Sequence, residues 1–262
     1  MVDTIRSRDV QSDCSKDVDT NQSFRGYSIH VVPQSFGSTI GSPTALATGE
    51  FATTLTTLSS ALVGFRRLSN IDVFVANFNF CAGICMVISA QWELIRGNSY
   101  GYTVLSAFGL FYAGFGALDI PFLVITAAYG DDTVQYNDAL GFLVLLWSIF
   151  NLLFLIGSLP INLVYIVIFF FVQLAFTLVS ASYFCAADGN IATADVLKKT
   201  AGAFAFIAGM FGNYTVEHLM CQEALFFNFP MGDSSRFFRR KLKNKRPVLQ
   251  QHEKESQALR MV

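Results

Sequence analysis

The sequence predicts an all-α fold: a polytopic integral membrane protein built as a bundle of six transmembrane helices. Three observations carry this. Six apolar stretches, residues 44–64, 71–95, 101–128, 138–158, 161–185 and 200–221, each reach about the ~20 residues a helix needs to cross a ~30 Å hydrocarbon core. Charged residues make up only 14 % of the 262 and fall mostly between or beyond these stretches, whereas Phe alone supplies 27. The runs are far longer than the ~10 residues of a tilted barrel strand, and they do not alternate polar and apolar positions.

Residues 1–43 are polar and rich in Ser, Thr and Asp, which predicts a largely disordered tail. They lack the apolar core of a secretory leader, so the first membrane helix is expected to serve as its own insertion signal. Pro43 fits the first turn of that helix, where a missing N–H costs nothing. The second helix ends near Trp92, a residue type suited to the interface, and Arg96-Gly97-Asn98 makes a tight turn into the third. Pro121 predicts a kink in the third helix, and Ser158-Leu159-Pro160 a tight turn between the fourth and fifth. Small residues at four-residue spacing, Ala45 and Gly49 in the first helix and Ala201, Ala205 and Gly209 in the sixth, allow helix backbones to approach closely. Residues 229–262 form a basic tail.

Six spans place both termini on one side. Of the 18 Lys and Arg residues, fourteen then fall on the terminal side and four, Arg66, Arg67, Lys198 and Lys199, on the other. Lys and Arg favour the cytoplasmic face, so both termini are expected there, and the Asn21-Gln22-Ser23 triplet would not be glycosylated. The cluster Arg236-Phe237-Phe238-Arg239-Arg240-Lys241-Leu242-Lys243 reads as an anchor on an anionic leaflet.

Composition also excludes functions. A net charge of −1 with no basic, aromatic-interleaved tract gives no basis for nucleic-acid binding. Five cysteines, four of them in apolar runs, argue against a disulfide framework. Cys81 and Cys85 share a helix face, but no further ligand completes a metal site, and no metal or cofactor is expected. No Ser-His-Asp set, HExxH or P-loop is present, which disfavours an enzyme or an ATP-driven pump.

Ionisable and polar groups at membrane depth point to a solute path. Glu50 lies two turns into the first helix, roughly 9 Å from its start at ~1.5 Å per residue. Thr53 and Thr54 are near it, Asn77 lies in the second helix, and Asn213 and Glu217 share a face of the sixth. Asp119, Asn79, Asn151, Gln173, Tyr214 and His218 complete the set, with Glu217 and His218 expected at headgroup level.

Three segments resemble a known family. Ala90-Gln91-Trp92-Glu93-Leu94-Ile95-Arg96-Gly97-Asn98-Ser99-Tyr100-Gly101 is similar to the G-x-W-E-x-x-x-G-N-T-F-G hairpin of the acetate uptake transporters, the YaaH-type acetate–succinate permeases of bacteria and fungi. Ser106-Ala107-Phe108-Gly109-Leu110-Phe111-Tyr112 is similar to S-S-Y-G-A-F-W of that family, and Ser42-Pro43-Thr44-Ala45-Leu46 through Phe51 to its N-P-A-P-L-G-L-x-x-F. Phe229-Pro230-Met231-Gly232 resembles the closing L-P-x-G.

The resemblance implies a hexamer with a pore in each protomer, carrying acetate or other small monocarboxylates with protons at the plasma membrane; some fungal members are linked to ammonium. It assigns the pore constriction to Phe51, Phe108 and Val172, with Phe108 standing where the family has Tyr, and places Ser42, Pro43 and Leu46 at the substrate site. The altered first-helix signature, with Glu50 beside the expected constriction, marks a divergent member of the fungal branch. Two alternatives stay open: a permease of the same fold for ammonia or another small metabolite, and a membrane scaffold or sensor that transports nothing.

Overall fold

The computed structural model describes residues 41–68, 70–224, 226 and 229–238. The polar N-terminal tail with its Asn21-Gln22-Ser23 triplet and the basic tail beyond Phe238 lie outside the described residues. Among the described residues the structure is helical, with no strand.

Helix α1 runs Thr44–Val63. Pro43 stands at its N-cap with helical dihedrals (φ −71°, ψ −19°), and Gly64 ends it in the left-handed region (φ 81°), which only glycine enters without steric cost. The second long helix, α2, is continuous over Asp72–Ile95. It opens as a 3-10 turn over Asp72–Phe74, passes through a π-helix over Asn77–Cys85 and becomes α-helical over Met86–Ile95. Apolar periodicity cannot announce such a widened stretch. Asn79 donates to the Val75 carbonyl at its start (2.9 Å), and Gly83 lets Ala113 of the next helix approach.

Helix α3 covers Ser99–Ala117 and is capped by Asn98, whose side chain accepts from the Gly101 N–H (3.0 Å). The sequence suggests one kinked helix to 128. The structure instead breaks after Ala117 and bends by 75° into the short helices Pro121–Leu123 and Ile125–Ala128. Pro121 has no N–H to donate, and it holds Ile120 extended (ψ 115°).

Helix α4, Thr133–Ser158, starts earlier than 138 because Asp132 caps it by accepting from the Gln135 N–H (2.9 Å). Helix α5, Leu163–Ala187, is capped in the same way by Asn162. Helix α6, Ile191–Ala224, begins well before residue 200. Asp195, Lys198 and Lys199 interrupt the apolar pattern there without interrupting the helix, and Lys199 pairs with Asp195 at 3.5 Å.

The six long helices close into a ring. Backbones approach closely between α1 and α2, α2 and α3, α4 and α5, α5 and α6, and α6 and α1. Between α1 and α6 the approach uses small residues: Gly202 meets Leu62 and Val63, Gly209 meets Thr56, and Gly212 meets Ala52. Aromatic rings close the remaining seam, from α3 to α4. Phe111 packs on Trp147 (4.8 Å between centroids), Phe108 on Phe154 (5.9 Å), and the Tyr100 hydroxyl donates to the Phe154 carbonyl (2.8 Å).

Three helices, α2, α4 and α5, are each long and apolar enough to cross a membrane, and α3 with its bent continuation makes a fourth. Their outward faces expose Phe80, Ile88, Leu110, Phe142, Leu146 and Phe170, a surface suited to lipid. After α6 the chain folds back across the start of α5. Gly232 and Met231 carbonyls accept from the Leu163 and Val164 N–H groups (2.7 and 3.4 Å), and Ser234 donates to the Leu159 carbonyl (2.7 Å).

Candidate functional site

Residues Thr44, Thr48, Phe51, Leu55, Leu58 and Leu62 recur at intervals of three or four, so they form one stripe along α1. This stripe faces the middle of the ring, where two cavities are stacked. The larger, about 280 Å³, is lined by Thr44, Thr48 and Phe51 from α1, by Asn98, Tyr100, Val104 and Phe108 from the α3 side, and by Tyr165, Ile168 and Phe169 from α5. The smaller, about 70 Å³, takes the next turns of the same helices: Leu55 and Leu62, then Phe111, Tyr112 and Phe115, then Val172, Ala175 and Phe176.

An aromatic layer lies where one cavity gives way to the other. Phe51 meets Phe108 edge to face at 5.4 Å, Phe51 meets Tyr112 at 6.4 Å, and Phe108 stacks on Phe176 at 6.4 Å. Phe51, Phe108 and Val172 are all buried, and Val172 belongs to the wall of the smaller cavity.

The larger cavity has a polar margin built around Glu93, which is 2 % exposed. Its carboxylate accepts from the Thr44 hydroxyl and from Asn98 Nδ2 (2.7 Å), and Arg96 stands 3.8 Å away. Arg96 also reaches the Gly41 carbonyl (3.4 Å). One carboxylate thus ties together the start of α1, the end of α2 and the cap of α3. It also fixes how Thr44 and Asn98 present themselves to the cavity. A buried charge needs such partners, because unpaired it would cost several kcal/mol.

The other residues singled out from sequence are scattered. Thr54 is fully buried and accepts from Asn77 Nδ2 (2.6 Å), which pins α1 to the π stretch of α2. Glu50 is half-buried and its carboxyl lies against the Cys81 thiol. Ser42, Leu46, Thr53 and Glu217 are exposed, while Pro43 and Asn213 are half-buried. None of these residues lines either cavity.

The polar groups that do line the larger cavity, Thr44, Thr48, Asn98, Tyr100 and Tyr165, were not singled out as site residues. Two signals point to them: the i, i+4, i+7 stripe that puts Thr44 and Thr48 on the face of Phe51, and a carboxylate placed five residues before a helix-capping Asn.

Residues 28–233 match the GPR1/FUN34/yaaH family. The chain belongs to this family. The acetate transporter protein patA of Aspergillus clavatus is 47 % identical to it over 206 residues, covering 79 % of this chain and 83 % of that protein. The patA protein of Penicillium expansum is 46 % identical over 207 residues, with the same coverage, 79 % and 83 %. Among solved structures, the bacterial acetate channel SatP superposes with a TM-score of 0.61 at 24 % identity, covering 74 % of this chain and 99 % of that one, a likeness of fold.

Proposed function

We propose that this chain carries acetate and similarly small monocarboxylic acids across a membrane, each with a proton, along the axis of its helix ring. The observation that carries the reading is the stacking of two cavities in register on α1, α3 and α5, parted by the Phe51–Phe108 layer. The patA relatives, named as acetate transporters, support it.

A ring of apolar side chains excludes hydrated ions, and a bare carboxylate crossing it would lose its hydration with nothing to replace it. Together with a proton the acid crosses neutral, which removes most of that cost. Phe51, Phe108 and Val172 form the constriction in this reading. Thr44, Thr48 and Asn98, positioned by Glu93, receive the carboxyl group on one side of it.

In the same reading all six long helices span the bilayer, with α1 and the apolar part of α6 completing the ring. Both termini are cytoplasmic, the membrane is the plasma membrane, and protomers assemble as a homo-oligomer, a hexamer by family resemblance.

The test is uptake of labelled acetate into proteoliposomes carrying the purified chain, at acidic and neutral pH. Saturable acetate flux that rises as the medium is acidified is expected. Flux of ammonium without acetate would replace the cargo, and absence of flux for every small acid and amine would leave a scaffold or sensor.

A further inference from the structure

The end of the ring farthest from Glu93 gathers ionisable groups that the constriction does not involve. Leu62 and Tyr183 stand near the ends of α1 and α5, so they mark that end of the smaller cavity. The Tyr183 side chain lies within electrostatic reach of Asp119 and of Tyr136 from α4. Asp119 in turn faces Asp72, at the start of α2. It is half-buried in the elbow between Ala117 and Pro121, where α3 has ended and its bent continuation has not begun. Four elements thus send one such group each to the same place.

The cations of that end leave the carboxyl groups alone. Arg66 and Arg67 follow α1, and Lys198 and Lys199 belong to the first turns of α6. Among the described residues none of them forms an ion pair with Asp119 or Asp72, and Lys199 takes Asp195 instead (3.5 Å). Asp72 accepts only from Asn70 Nδ2 (3.0 Å). Two carboxyl groups with no cation between them are held together most easily when one keeps a proton. Beyond Tyr183 the cavity wall is Leu, Val, Ala and Phe with one further Tyr, and a bare carboxylate entering it would lose its hydration. An acetate anion therefore needs its proton before it leaves this end of the ring.

We propose that Asp119 supplies that proton, handed on by Tyr183, so that the chain makes the neutral acid at its outer mouth instead of waiting for acid formed in bulk water. The proposal rests on the transport reading above and deepens it. The step balances. The Tyr183 O–H bond breaks as its proton goes to an acetate oxygen, and the Asp119 carboxyl proton replaces the one that Tyr183 gave. The products are acetic acid and an Asp119 carboxylate, which takes its next proton from the water outside.

The experiment measures labelled acetate uptake into proteoliposomes carrying the full chain, above that of protein-free vesicles, from about pH 5 to about pH 7 outside. The variants are Asp119→Asn, Asp119→Glu and Tyr183→Phe. Without Asp119 only acid formed in bulk water can cross, and its share falls about tenfold per pH unit above the acid's own pKa. Asp119→Asn and Tyr183→Phe are therefore expected to stay within about twofold of wild type at the acid end and to fall at least about tenfold below it at the neutral end. Asp119→Glu should restore the shallow wild-type profile. An Asp119→Asn profile parallel to wild type would overturn the proposal, and so would an equal loss at every pH, the mark of a merely structural role. A Tyr183→Phe profile parallel to wild type would overturn the relay. A wild-type protein that moves no acetate at any pH defeats the transport reading instead, so the two failures are told apart.

Discussion

Replacing Glu93 by Gln removes the charge but keeps the shape of the clamp at the margin of the larger cavity. Gln offers one acceptor oxygen where the carboxylate offers two, so either Thr44 or Asn98 keeps its partner and the other meets an NH₂ group. Losing a hydrogen bond to a charged acceptor costs about 1.5–3 kcal/mol. The Arg96 pair, at 3.8 Å and with Arg96 30 % exposed, adds less than about 1 kcal/mol. Neutralisation also removes the cost of keeping a carboxylate out of water, which holds the net loss to about 2 kcal/mol. For a chain of this size that is a fall of roughly 4–8 °C in apparent melting temperature. The assay is the fraction of detergent-solubilised protein that stays monodisperse after heating, measured for Glu93→Gln, Asn98→Ala and the double variant. The two single effects should be non-additive, because both act on the Glu93–Asn98 bond, with Asn98→Ala carrying the further loss of the α3 cap. Additive effects, or a melting temperature within about 1 °C of wild type for Glu93→Gln, would refute the clamp.

Two further outcomes are expected. Phe51→Ala opens the aromatic layer, so uptake of propionate and butyrate should rise relative to acetate; an unchanged ratio in vesicles would remove Phe51 from the constriction. Glu50→Gln should leave the pH profile of acetate uptake as in wild type, because the carboxyl faces Cys81 between α1 and α2 rather than a cavity; a shifted profile would put Glu50 on the proton's route.

The sequence revealed the apolar runs and most of their ends, because length, punctuation by Gly and Pro, and capping Asn and Asp residues act locally. Pro121 marked its own helix break, and Phe51 and Phe108 were assigned from a motif and sit together. What stayed hidden depends on geometry that no single stretch encodes. Helical phase separates Thr48 from Thr53: one lines a cavity and the other is exposed, although both are threonines in the same apolar helix. In α2 the π stretch at Asn77–Cys85 shifts the helical phase in turn, without a compositional trace. Depth alone made Glu50 and Glu217 conspicuous, whereas Glu93 looked like a helix end, and only the meeting of three helix termini shows it buried.

The return of residues 231–234 over the start of α5 has a consequence for biosynthesis. The amides of Leu163 and Val164 wait for carbonyls encoded almost seventy positions later. While the ribosome is still translating α6, the start of α5 has its leading edge unfinished. The two carbonyls that complete it, at residues 231 and 232, lie at the very end of the family match, which stops at residue 233. A nascent chain halted just short of that point would hold every long helix and still lack its last seam.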